Sequence, residues 1–278
     1  MMEAISFLLP AFVACMLLAS IHVYLGYHVI TRGVIFVDLS LAQIAALGAM
    51  LAVARGHEPG SPWTYVFSLA LALIGAGIFS LTGSRRHQER VPHEAIIGIV
   101  YAVAAACVIL VASTLTHGAQ EIERMLVGSI LWVQWPTLLK TALLYAAIGA
   151  VHISLRRPFL EISDDPRAAH ERGRHVRALD FLFYATFALV ITSSVAIAGV
   201  LLVFSFLVVP AVAGRFLADR LLPRLLIGWA VALLTSIAGL AASWTWDLPT
   251  GATIVAAFGA VLIVIAAGRS VIARSPAR

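Results

Sequence analysis

The chain has 278 residues, of which 61% are hydrophobic and only 12% charged, and its mean hydropathy is +0.97. Soluble domains carry about 25% charged residues, so the composition excludes a soluble domain and leaves an all-α, polytopic integral membrane protein with one integrated domain over residues 1–278. The net charge of +5 sits in alternate loops, as membrane topology demands, and therefore argues for a lipid surface and against nucleic acid.

Apolar runs predict spans at 5–30, 34–54, 62–82, 94–115, 136–155, 178–198, 200–214, 222–243 and 250–268. The pair meeting at Gly199 reads either as two spans or as one span plus a short re-entrant piece, so the count is nine or eight. The first run, MMEAISFLLPAFVACMLLAS, has Glu3 where a secretory leader carries Lys or Arg, and its apolar stretch is too long for one. It is read as a retained first helix. His22 and His28 lie in this span, but residues six apart do not share a helix face, so they do not form a joint site. Cys15 and Cys107, both in apolar runs, are read as buried thiols and not as a disulfide.

The second span contains FVDLSLAQIAALGAML, in which Asp38 stands out. A charge inside a bilayer costs roughly 2.5–3.5 kcal/mol on insertion scales. Two readings are open. Asp38 is either held at the helix N-terminus, where the dipole favours an anion, or it faces a polar pathway or a partner helix, together with Ser40 and Gln43. Asp38, Ser40 and Gln43 are thus the transport-pathway candidates. Glu94 and Asp180 each open a later span and are read as dipole-stabilised. Pro210 in FSFLVVPAVAGRF removes a backbone hydrogen bond in mid-span and is the candidate kink or gate.

The longest polar segment is RRPFLEISDDPRAAHERGRHVR, 156–177. It contains a complete short-helix signal: Asp164 or Asp165 as cap, Pro166 at the first helical position, Arg167 onward as body and Gly173 just past the end. A solvated loop and a helix that docks on a partner both fit it. Among basic residues, all but Arg55, Arg124 and Lys140 fall on one side of the nine-span map, Arg85, Arg86, Arg90 and Arg278 included. The positive-inside rule then puts the N-terminus outside and the C-terminus in the cytoplasm.

Enzyme signatures are missing: there is no H-E-x-x-H, no CxxC and no G-x-S-x-G. The single lysine, Lys140 in TLLKTALL, lacks the glycines of a phosphate-cradling P-loop. No cofactor is expected in this chain, and ATP-driven work would fall to another polypeptide.

Six segments in order resemble the permease subunits of ABC importers for zinc, manganese and iron: LGYHVITRGVIFVDLSLAQIAALGAMLA, HEAIIGIVYA, MLVGSILWVQWPTL, ISDDPRAAHERG, GVLLVFSFLVVPAVAGRFLA and WDLPTGATIV. The fourth is similar to that family's D-x-x-x-A-x-x-x-G cytoplasmic loop, matched by Asp165, Ala169 and Gly173. The resemblance implies a non-enzymatic transport subunit of a bacterial inner (plasma) membrane importer. It implies a homodimer of permeases, a separate ATP-binding ATPase, an extracytoplasmic metal-binding protein, and a coupling helix at 165–173 seated in the ATPase. The family's G-D-x-x-x-H ligands do not recur: Leu39 and Gln43 take their places, and the acid moves back to Asp38, the one remaining metal-ligand candidate. Asp38 and Gln43 lie about 140° apart round the helix, and glutamine is a poor ligand for zinc or manganese. A chelated metal would need no bare-ion site. The rival reading is a secondary transporter in which Asp38 couples protons or ions.

Overall fold

The computed structural model describes residues 2–83 and 92–274, with side chains described at 6–83 and 92–268. Arg85, Arg86, Arg90 and Arg278, which the topology reading counts, lie outside the described residues. In chain order the elements are α1 (Met2–Arg32), α2 (Val37–Ala54), α3 (Pro62–Gly83), α4 (His93–Ala112) and α5 (Gly118–Val127). A 3-10 turn at Ile130–Trp132 follows, then α6 (Trp135–Ser154), α7 (Arg156–Asp164), α8 (Pro166–Glu171), α9 (Val176–Leu217), α10 (Leu221–Trp246) and α11 (Thr250–Arg274). Eight described helices are long and apolar enough to cross a membrane.

The 42-residue α9 decides how many crossings this makes. Straight, it would reach about 63 Å, twice a ~30 Å hydrocarbon core. Gly199, inside it, has φ 75° and ψ 163°, a conformation essentially closed to residues with a side chain. The neighbours show which way the chain then goes. Asp180 pairs with Arg32 and Ser194 meets His22, so residues up to 198 run antiparallel to α1. A straight continuation would carry Leu207 on to the N-terminal third of α1, yet Leu207 and Ala211 lie against Gly26, between those two contacts. Residues 200–217 therefore fold back as a second arm, about 27 Å long by helical rise. The bend lies at Gly199, and it is the only non-helical φ/ψ inside α9; Pro210, the expected kink, stays within helical geometry. Its carbonyl instead lies against Gly228 of α10, a close packing contact.

The bend is locked by the end of α5. A methyl group on Gly199 would overlap the Gly128 nitrogen, and one on Gly128 would overlap Ala198; Gly128 is itself at φ 73°. Ser129 N–H donates to the Ile197 carbonyl across the same junction (3.3 Å). The charge-rich segment that holds α5, where no span is predicted, is thus an amphipathic helix laid over the α9 bend.

The core is formed where α1, α2, α3, α9, α10 and α11 converge, around Phe79, Phe183, Tyr184, Phe187, Phe206 and Phe258. Phe183 and Phe187 stack at 5.9 Å and Phe206 meets Phe258 edge-on at 5.0 Å. By contrast α4, α6 and α11 turn much of their apolar surface outward, with Ile99, Leu139 and Ile263 exposed, as expected where lipid or another helix is the solvent.

Candidate functional site

The start of α2 and the α7–α8 segment lie at one end of the bundle, and a cavity opens at the other. At one end, α2 presents its first turn. Asp38 is 1% exposed, and its Oδ1 has no hydrogen-bond partner among the described residues. Ser40 Oγ donates to the Ile97 carbonyl of α4 (2.7 Å), which turns Ser40 toward that helix. Gln43 is buried as well. Leu41 and Ile44 pack toward Gly75 of α3, so α2 is covered on two sides and is the most enclosed of the long helices. The three polar residues do not converge on one point. Among the described residues, no three of His, Cys, Asp or Glu come together as a metal-ion ligand set. Glu94 has a more specific role than the dipole alone suggests: besides opening α4, its Oε1 accepts from Phe36 N–H at the start of α2 (3.2 Å), so one carboxylate serves two helix starts.

Asp180 is where the dipole reading gives way. It lies five residues into α9 and forms a buried ion pair with Arg32 Nη1 at 2.7 Å. The Arg32 guanidinium also sits 4.0 Å from the Phe183 ring centroid and donates from Nε to Ser163 Oγ (2.9 Å). Counted in the sequence as a loop charge, Arg32 is a buried interhelical clamp. His28 shares Ser163 with it (2.8 Å), while Ser194 Oγ lies 3.2 Å from His22 Nε2 and 2.5 Å from Tyr145 OH. His152 meets Thr186 at 2.9 Å. These groups join α1 to α6, α7 and α9 by buried hydrogen bonds. Nothing in a single sequence pairs residues 148 positions apart.

The same end carries α7 and α8. Asp165, not Asp164, is the cap: its Oδ1 accepts from Arg167 N–H (2.9 Å) and Ala168 N–H (3.1 Å), and Pro166 occupies the first helical position. The helix closes with Arg174 N–H on the Ala169 carbonyl and Gly173 N–H on the His170 carbonyl, with Gly173 at φ 78°. That is a Schellman closure. Ala169 is fully buried, and its carbonyl supports the closure, whereas Asp164, Asp165 and Arg167 are exposed. Arg174 donates twice to Glu161 (2.9 and 3.3 Å), tying α7 to the exit from α8. This hydrogen-bonded guanidinium holds the Glu161 carboxyl below its ordinary range.

At the opposite end, a cavity of about 170 Å³ opens between α2, α3, α5 and the first arm of α9. Its α2 wall is Ala45, Ala46, Ala49 and Val53, directly beyond Gln43 along the same helix.

A family model described as the ABC 3 transport family matches residues 4–269. The chain is 25% identical over 235 residues to the manganese transport system membrane protein MntC of Listeria innocua, covering 81% of each. It is 24% identical over 255 residues to the high-affinity zinc uptake system membrane protein ZnuB of Haemophilus influenzae, covering 89% of this chain and 92% of that one. Among solved structures, PsaBC from Streptococcus pneumoniae in complex with Fab superposes with a TM-score of 0.78 at 19% identity, over 95% of this chain and 93% of that chain.

Proposed function

Because the chain belongs to the ABC 3 transport family, we propose that it is the membrane permease subunit of an ATP-driven importer, carrying zinc, manganese or iron, free or chelated, into the cytoplasm. The transport names of its relatives support the cargo class. The observation that carries the mechanism is α8: a six-residue helix, capped at both ends, that lies between α7 and α9 with Ala169 buried and Asp165 and Arg167 exposed, and is pinned by Arg174–Glu161. A short helix between two spans suits transmission of force from a partner, because its two caps and the Arg174–Glu161 pair fix its geometry against α7. The partner would be an ATP-binding ATPase, since this chain has no P-loop lysine. A second permease copy and an extracytoplasmic metal-binding protein complete the assembly. The protein then spans a bacterial inner membrane with α8 and the C-terminus in the cytoplasm, the side that the arginines select.

In this scheme α2 is the helix along which cargo passes. It presents small alanines at the outer cavity and polar Gln43, Ser40 and Asp38 further in. Co-purification of an ATPase with the permease tests the reading; loss of the ATPase should abolish uptake. The competing reading is a proton- or ion-coupled secondary transporter, and the unpartnered Oδ1 of Asp38 is the observation in its favour. That reading requires transport in the absence of any ATPase.

A further inference from the structure

The outer cavity is lined by a set of groups that a bare metal ion does not need. Its α5 side supplies Glu121, Arg124 and Met125, and the spans add the hydroxyls of Tyr65, Ser68 and Thr192. Thr192 is 3% exposed, and its Oγ1 has no hydrogen-bond partner among the described residues. Burying such a hydroxyl unsatisfied costs about 1–3 kcal/mol, so the free oxygen marks a place where a ligand atom belongs. Glu121 and Arg124 are one helical turn apart, yet neither is in an ion pair among the described residues. Both charges remain available to a third party.

A bare divalent transition ion asks for several His, Cys or carboxylate donors at one point. The cavity offers one carboxylate and one thioether, beside a guanidinium that repels a cation. The set instead complements a molecule with charges of both signs. Resting on the importer reading, we infer that this cavity receives the metal as a complex with a small amino-acid-type chelator. Arg124 takes the chelator's free carboxylate oxygens as a fork, Glu121 accepts from the N–H of its metal-bound amine or from a metal-bound water, and Thr192 Oγ1 adds a hydrogen bond. The Gly128–Gly199 junction fixes the end of α5, so the two charges are held over the cavity and not on a loose loop.

The test uses cells that express the complete importer and lack other uptake for the metal. Radiolabelled zinc, manganese and iron are each supplied free, with carbon-labelled L-histidine, and with carbon-labelled citrate. The expected result is joint entry of metal and carbon label from a histidine complex, with slow entry of the free ion. Glu121→Gln and Arg124→Gln should each lower that uptake about tenfold or more, with a smaller loss in Thr192→Val. Exchanging the pair, Glu121→Arg with Arg124→Glu, should restore part of the uptake, which separates recognition from a folding defect. If metal enters alone, at a rate that neither chelator nor these substitutions change, the inference is overturned and the importer reading stands. If no form of any metal enters through the permease, both fall.

Discussion

Gly173→Val isolates what the α8 closure contributes. Gly173 sits at φ 78°, and a methyl group built there meets nothing within 4 Å, so no clash enters the effect. The cost is conformational: about 1–2 kcal/mol for an ordinary residue in the left-handed region, and more for a β-branched one. A six-residue helix has little of its own to spend. A 1–2 kcal/mol penalty lowers the closed-to-open ratio by a factor of about 5–30. Gly173→Asn is the control, because asparagine tolerates this region and so should keep most of the function. The assay compares permease level in membranes, ATPase bound to the purified permease, and ATP-dependent metal uptake. Gly173→Val should leave the level unchanged and reduce uptake several-fold or more, and Asn should fall between Val and wild type. Full uptake in Gly173→Val would refute the coupling role of α8, and equal loss in Asn and Val would refute its conformational basis.

Asp38→Asn should reduce metal uptake at unchanged protein level if the carboxylate serves the pathway; normal uptake with less protein in the membrane would assign it a structural part. Gly199→Ala should deplete the protein from membranes, because its methyl would overlap Gly128 and its backbone conformation is closed to alanine; normal levels would contradict the reversal of α9 at that residue. Asp180→Asn leaves Arg32 buried and charged without its partner and should cost about 3–5 kcal/mol, read as a lower thermal midpoint of the purified protein. Replacing both residues with apolar ones should recover most of that loss. The Glu161–Arg174 pair follows from a carboxyl held low: its contribution is present above the usual glutamate range and is lost as pH falls through the depressed value. Glu161→Gln should therefore differ from wild type in proteolysis of the α7–α8 segment at neutral pH, and converge with it in strong acid.

Much of this architecture is legible in the sequence. The spans follow from apolar length, so 222–243 and Leu221–Trp246 describe the same helix. Capping chemistry is local, which is why Asp165, Pro166 and Gly173 place the ends of α8 without a structure. The limits are equally physical. Gly199 announces a break, but only its neighbours Gly26 and Gly128 show that the chain turns back. Pro210 removes a backbone donor within the second arm, yet the non-helical dihedrals inside α9 are at Gly199. Residues 116–135 carry too much charge for a span, and α5 emerges because an amphipathic helix can lie over the bend. Arg32 and Asp180 each have a sufficient local explanation, so their ion pair is invisible until α1 and α9 are set side by side. The outer cavity is likewise a product of four helices, and no local pattern brings Glu121, Arg124 and Thr192 to one wall.

The most direct measurement is metal uptake into liposomes that contain the purified permease, with the metal-binding protein supplied outside, with and without the co-purifying ATPase, at a fixed pH gradient. The account predicts uptake only when ATPase and ATP are both present, and no response to the gradient. Uptake that persists without the ATPase and follows the gradient would contradict it and establish the Asp38-coupled transporter in its place.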